Sequence, residues 1–182
     1  QAGFALELAP ARMSYDEARL RLEPLSLGLY DGSARLEGEL DLSTSDPQLH
    51  ADLAWQDIVL PGAAPDAVVR SQGTARIDGP LDDYALTLDG RFARGPDQAR
   101  VQLAGRGSTQ ALDLESLHAE LPGGGLDAHG RVAWSPALHA TLDATLQQFD
   151  PSYFAPDLPG VLDARLHLDG GLADAGPFGE LR

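Results

Sequence analysis

Residues 149–170 read FDPSYFAPDLPGVLDARLHLDG. From Leu162 onward the stretch alternates without a slip: Leu162, Ala164, Leu166 and Leu168 point one way, Asp163, Arg165, His167 and Asp169 the other. A period of two side chains, with one apolar and one charged face, predicts a half-buried β-strand. Asp150 and Pro151 ahead of it suit the cap and first position of a single helical turn.

The same alternation recurs throughout the chain. Phe4, Leu6 and Leu8 form one set. Leu20 and Leu22 begin another, which resumes as Leu25, Leu27 and Leu29 after a change of parity near Pro24, as a bulge or an edge proline produces. Leu36, Leu40 and Leu42 alternate with Glu37, Glu39 and Asp41. Then come Leu49, Leu53 and Trp55; Ala75 and Ile77; Tyr84, Leu86, Leu88 and Phe92; and Val101 and Leu103. Leu112 and Leu114, with Leu117 and Leu121, precede Val132 and Trp134, and Leu138, Leu142 and Leu146 complete the series. Roughly a dozen strands and hardly any helix follow from these patterns.

Turn residues mark short connectors at Asp31, Thr44, Gly79, Arg94, Pro122 and Ser135. Connections this short join antiparallel neighbours, because parallel crossovers need a dozen or more residues. The fold class is therefore all-β, a long antiparallel meander. Two connectors are longer, one starting at Pro61 and one at Asp150.

Those two loops expose a repeat. At a shift of about 91 residues, IDGPLDD at Ile77 overlays LDGGLAD at Leu168, Trp55 overlays Leu146, and Ile58 overlays Phe149. At a shift of about 92, Gly38, Leu40 and Leu42 overlay Gly130, Val132 and Trp134. The chain reads as one continuous segment, 1–182, with degenerate repeats at roughly 32–122 and 123–182, the second incomplete. An extended array follows, not a closed globule.

Composition narrows the function. With 43% hydrophobic and 23% charged residues, the chain is ordinary for a folded protein. Thirteen basic against 28 acidic residues give a net charge of -15 and no basic cluster, which disfavours nucleic acid and anionic membrane surfaces as partners. All the basic residues are Arg, and Lys and Asn are absent, a codon bias expected of a GC-rich genome. The absence of Cys removes disulfides, thiolate metal sites and thiol catalysis. No stretch approaches the ~20 apolar residues of a membrane-crossing helix. The start, QAGFALELAP, lacks the pattern of a signal peptide, and the end, GELR, falls in mid-strand, so an internal piece of a longer protein is expected.

A dozen strands with one oily face must close into a barrel, pack on a second sheet, or curl around a guest. At ~4.8 Å per strand the sheet would extend on the order of 55 to 60 Å, a length that suits a trough. Leucine is flexible, and aromatics are only 6%, so the lining suits a fluid occupant. An ordinary sandwich core filled with leucine reads equally well from composition.

Phe149-Asp150-Pro151, Pro159-Gly160 and Asp169-Gly170, a loop with DP and PG marks before a strand ending in DG, resemble the TamB family, the translocation and assembly module subunit related to the AsmA-like proteins. The alternating strands resemble it over the whole chain, whereas the first repeat carries only DIVLPG, Asp57 to Gly62, in place of the fuller loop. The resemblance implies a sheet bent into a U-shaped β-taco with a hydrophobic groove. It also implies an inner-membrane anchor and a TamA-like outer-membrane barrel partner, both meeting regions outside this segment. A periplasmic location, phospholipid transport between the two membranes and support of outer-membrane protein assembly are implied with them. The groove lining would be Leu36, Leu40, Leu42, Leu53, Trp55, Ile77, Leu86, Leu88, Val101, Leu103, Leu112, Leu114, Val132, Trp134, Leu142, Leu146, Leu162, Leu166 and Leu168. Phospholipid acyl chains would be the partners there, at ~0.8 kcal/mol per buried methylene.

Other constellations have bland readings. His50, His129, His139 and His167 fall on the wet parity of strands and His118 lies in a similar setting, with no metal-ligand spacing among them. Asp127, His129 and Arg131, like Asp163, Arg165, His167 and Asp169, read as cross-strand charge pairing. Asp46, Asp82 and Asp83 match no acidic calcium loop. No G-x-S-x-G elbow occurs, and PGGGL at Pro122 reads as a hairpin turn. Trp55, Trp134, Phe149, Tyr153 and Phe154 read as core, or in a groove as narrowing it near the repeat loops. No enzyme, cofactor or metal site is expected. The rival to the lipid conduit is a β-sandwich or spacer module that mediates protein–protein contact in the cell envelope.

Overall fold

The computed structural model describes residues 6–8, 12–29, 31–60, 68–153, 160–173 and 176–181. The two N-terminal strands are short, β1 (Leu6–Leu8) and β2 (Met13–Asp16). Next come β3 (Arg19–Leu29), β4 (Gly32–Asp41), β5 (Gln48–Leu60), β6 (Val69–Pro80) and β7 (Tyr84–Arg94). They are followed by β8 (Asp97–Gly107), β9 (Ala111–Leu121), β10 (Gly124–Ala133), β11 (His139–Phe149), β12 (Leu162–Ala173) and β13 (Gly176–Leu181). Of helix the described residues hold one 3-10 turn, Pro151–Tyr153. Its entry is tied by Asp150, whose Oδ1 accepts the Ser152 amide at 2.9 Å, as the Asp-Pro pair requires.

All strands belong to one antiparallel sheet, and from β3 to β13 each pairs with the next in sequence order. β1 and β2 share the free edge of β3, pairing residues 27–29 and 19–22 respectively. The first and last strands of this path do not pair, so the sheet is open. This is the long all-β meander of the β-taco kind. Turns fall where Gly, Pro and Asp predict them: Asp31 sits at φ 62, Gly95 at φ 59 and Gly123 at φ 89, conformations that small or side-chain-bonded residues adopt at low cost.

Four strands carry a bulge. In β3 the register slips between Leu22 and Leu25, around Pro24. In β5 it slips between Trp55 and Ile58, where Asp57 takes φ 54. In β9 the extra residue lies between Leu114 and Leu117, and in β11 between Leu146 and Phe149, where Gln148 takes φ 47. Each slip swaps parity, so the leucines after it stay on the face of those before it.

The positions of these bulges are related. The β3–β4 partners Leu22 with Gly38 and Leu25 with Leu36 become, 92 residues on, Leu114 with Gly130 and Leu117 with Ala128, which are partners in β9–β10. The β5–β6 partners Trp55 with Gly73 and Ile58 with Ser71 become, 91 residues on, Leu146 with Ala164 and Phe149 with Leu162, partners in β11–β12. The turn after β6 and the turn after β12 differ: Ile77 pairs Leu86, while Leu168 pairs Leu181.

Packing is thin for a chain of this size. Among the described residues the buried apolar side chains are Ala34, Ala99, Ala111, Ala119, Leu121 and Leu146, and no large side chain is fully buried. Ala99, Ala119 and Leu121 form one small cluster, flanked by Phe92, Val101, Leu126 and Phe149. The accessible surface is 11694 Å², roughly 40% above the ~8,400 Å² that surface–mass scaling gives for a compact chain of 19.2 kDa. The elements in substantial contact are sheet neighbours. A second sheet packed on the first, as a sandwich needs, is not found among the described residues.

Candidate functional site

Residues opposite one another in a ladder point to the same side of a sheet, so register fixes the faces. One row runs Leu22, Gly38, Ala51, Ile77, Leu86, Gly105, Leu114, Gly130, Leu142 and Leu168 from β3 to β12. The next runs Leu25, Leu36, Leu53, Ala75, Leu88, Leu103, Leu117, Ala128, Ala144 and Leu166. A third holds Leu27, Ala34, Trp55, Gly73, Gly90, Val101, Ala119, Leu126, Leu146 and Ala164. Flanking rows add Leu20, Leu40, Leu49, Leu112, Val132 and Ala140 on one side, and Ile58, Ser71, Phe92, Phe149 and Leu162 on the other. No charged side chain stands in these rows. Ten strands and five rows make an apolar surface of about 43 by 27 Å, against a lipid leaflet whose tails fill about half of a ~30 Å hydrocarbon core.

Seventeen of the nineteen lining positions read from the sequence fall in these rows. The other two, Leu42 and Trp134, stand just past the ends of β4 and β10 on the same parity, each 44% exposed. Leu162 and Leu168 are also exposed. Of the remaining leucines Leu146 is buried, and the others are half-buried by their own neighbours within the sheet. Glycine keeps parts of the floor low. The Trp55 ring lies where a methyl group on Gly73 would sit, only 2.5 Å away, and reaches Gly90. The Tyr84 ring similarly occupies the place a side chain on Gly107 would need. Large rings thus lie flat across glycines of the next strands, which is how aromatics rescue glycine in sheets.

The aromatics do not cluster as a gate. Trp55 lies near the rim that carries the long connectors, but Trp134 is at the opposite rim, its Nε1 donating to the Thr109 carbonyl at 2.8 Å. Phe149 packs on the Ala99–Ala119–Leu121 cluster. Beside it, Arg94 at the end of β7 donates to the Ser152 carbonyl at 2.7 Å. The side chain of Tyr153 and all of Phe154 lie outside the described residues, as does Phe4.

The opposite face is charged and stapled along its hairpins. Arg21 donates to Glu39 at 2.7 Å across β3–β4, Arg76 to Asp52 at 2.7 Å across β5–β6, and Arg106 to Asp83 at 2.7 Å across β7–β8. His118 meets Asp127 at 2.7 Å across β9–β10, and His167 meets Asp143 at 2.8 Å across β11–β12. His50 stands between Asp78 at 2.9 Å and Asp52 at 2.8 Å. These bonds, together with that from Arg100 to Asp89 across β7–β8, hold the Asp52, Asp83 and Asp89 carboxyls below the ordinary carboxylate range, chiefly through Arg76, Arg106 and Arg100. They raise the imidazoles of His50 and His118, chiefly through Asp78 and Asp127. All five histidines lie on this face, and no group of three or more metal-binding side chains forms among the described residues.

A hollow of about 970 Å³ also lies on the charged face, between Arg35, Asp52, Arg76, Asp89 and His118. A second, about 690 Å³, adjoins it at Arg35, Thr74 and Asp89 and extends to Gln72 and Arg91. A twisted sheet is a saddle, so each face is concave along one diagonal. These hollows express the twist, and most of the charged groups in the larger one already satisfy one another. The apolar rows, not the hollows, are the unsatisfied surface of the molecule.

A family model described as TamB, N-terminal domain, matches residues 20–178. The chain belongs to the TamB family. No curated protein and no solved structure shows a significant match to it. The matched span runs from the start of β3 into β13, so it takes in the apolar rows of this TamB-family sheet. No helix among the described residues is long and apolar enough to cross a membrane. Leu20, Leu22, Leu25, Leu27, Leu49 and Leu117 share the apolar face although they are missing from the lining read from the sequence; their alternation carried the same signal. Leu126 follows the glycines of a turn, and the floor glycines carry no hydropathy signal.

Proposed function

We propose that the leucine rows bind acyl chains, and that this chain is a periplasmic stretch of a TamB-type conduit. It would move phospholipid between the inner and outer membranes and so support outer-membrane assembly. A TamA-like barrel is the proposed partner of other regions of the protein. One observation carries the reading: ten consecutive strands present an uncharged, leucine-rich face that no second layer covers among the described residues. An acyl chain laid on it gains ~0.8 kcal/mol per methylene removed from water, and a row of flexible leucines imposes no single pose. Lipids would slide along the rows, and no chemistry is needed in this segment.

The domain organisation belongs to the same reading. Repeats of about 91 residues, roughly 32–122 and 123–182, would keep the lining in step along the sheet, and the recurrence of the β3 and β5 bulges in β9 and β11 supports this.

Photocrosslinking amino acids at Leu40, Leu86, Leu142 and Leu166, with controls at Glu39, Thr87, Thr141 and Arg165 on the charged face, test the proposal in cells. Phospholipid adducts confined to the leucine set are the expected result. Adducts at both sets alike, or at neither, refute it, and protein adducts on the leucine set would favour an interaction module instead.

A further inference from the structure

We infer that the apolar face selects phospholipids that present an amine over those with an anionic head group; this deepens the acyl-chain reading above and rests on it. Tails lying on the rows place head groups at the two rims, where the strands turn. Carboxylates recur there. On the rim with the long connectors stand Asp31 in the β3–β4 turn, Asp57 in the β5 bulge, Asp97 at the start of β8 and Asp150 after β11. On the other rim stand Glu17 before β3, Asp46 before β5, and Asp82 and Asp83 before β7.

Three of the cations at the rims are engaged, while Arg70, one residue into β6, has no ion pair among the described residues and lines the same small hollow as Asp57. Arg19 is held by Asp41 at 2.9 Å, Arg106 by Asp83, and Arg94 by the Ser152 carbonyl. Asp31, Asp46, Asp57 and Glu17 make no ion pair among the described residues. The mid-strand arginines lie on the charged face, across the sheet from the tails. Within a Debye length of ~8 Å, a head group at either rim therefore meets more carboxylates than cations, in a chain whose net charge is -15. A phosphate whose charge is not offset is repelled, and a terminal ammonium is attracted.

Fluorescent lipids with identical tails, one carrying a phosphoethanolamine and one a phosphoglycerol head group, are titrated into the detergent-free chain at low and at 1 M salt. Exposed charge contacts predict a two- to fivefold preference, about, for the amine lipid at low salt, shrinking toward parity at 1 M. The combined variant Asp31→Asn, Asp46→Asn and Asp57→Asn reduces the preference. Asn tolerates the positive φ of positions 31 and 57, so the turns survive. The charge-matched control Glu37→Gln, Glu115→Gln and Glu120→Gln, on the opposite face, leaves the preference unchanged. Equal binding of the two lipids, a preference for the anionic one, or equal loss in both variants overturns the inference. Failure of both lipids to bind overturns the acyl-chain reading on which it rests.

Discussion

Leu142 lies mid-row on β11, with Gly130 on one side and Leu168 on the other, and Leu168 is itself 39% exposed. Replacing it with Asp and, separately, with Ala distinguishes an open face from a closed core. Full burial of a leucine is worth ~1.5–3 kcal/mol, and Leu142 is half-buried, so Leu142→Ala costs about 1 kcal/mol on an uncovered sheet. The Asp carboxylate can turn to water there and adds less than ~1 kcal/mol beyond the Ala loss. In a closed core the Ala variant alone would cost ~2–5 kcal/mol, and an unpaired charge several more. Urea unfolding of the three proteins, followed by far-ultraviolet circular dichroism, gives both differences from the shift in midpoint at constant slope. An Asp variant more than ~3 kcal/mol less stable than the Ala variant would mean that something covers the row.

Two further predictions concern the floor and the charged face. Gly107→Val puts a branched side chain where the Tyr84 ring lies, and overpacking of this kind costs ~1–3 kcal/mol; the melting temperature should fall by at least about 2 °C, and an unchanged value would show that the ring moves aside freely. His50 and His118 are raised above the ordinary imidazole value by Asp78 and Asp127. Their stabilisation is therefore fully present below the unfolded value of ~6.5 and is lost as pH rises through the folded value. Melting curves of the native chain should decline as pH passes upward through that window, and the His50→Gln, His118→Gln double variant should flatten the decline; parallel curves would refute the linkage. At the acid end Asp52, Asp83 and Asp89 are lowered, so their contribution is present above ~3.9 and lost as pH falls further.

Strand existence and pairing were legible because β3 to β12 alternate on either side of their bulges and most of their turns carry Asp, Gly or Pro. The slip at Pro24 was legible for the same reason, since proline marks where a ladder bond is missing. The bulges in β5, β9 and β11 were not, because Gln56, Asp57, Glu115, Ser116, Gln147 and Gln148 are ordinary polar residues with no breaker among them. β2 escaped notice because Met13 to Asp16 offers only one period of alternation. The candidate face was half legible: leucines announce themselves, but Gly38, Gly73, Gly105 and Gly130 belong to it through register alone. Trp134 was placed near the long loops by its kinship with Trp55 in hydropathy. Its strand runs the other way, so it meets the far rim.

A sheet whose leucines stay half in water is short of the burial that normally offsets chain entropy. The hairpin staples cannot make up the difference, because exposed ion pairs contribute ~0–1 kcal/mol each. The face itself is where stability is still to be gained, and its occupant should supply it. A lipid that binds the folded sheet and not the unfolded chain stabilises it by about 2.7 kcal/mol at a hundred times its dissociation constant. For a chain of this length that corresponds to a rise of about 5–11 °C in the melting temperature. Differential scanning calorimetry of the detergent-free chain with and without short-chain phospholipid below its micellar concentration measures the rise. The same scan on Leu86→Arg, which puts a cation into the central row, should show a smaller one. A melting temperature that ignores lipid in the native chain, while the chain is folded and monomeric, would mean that the leucine rows are not where hydrocarbon binds.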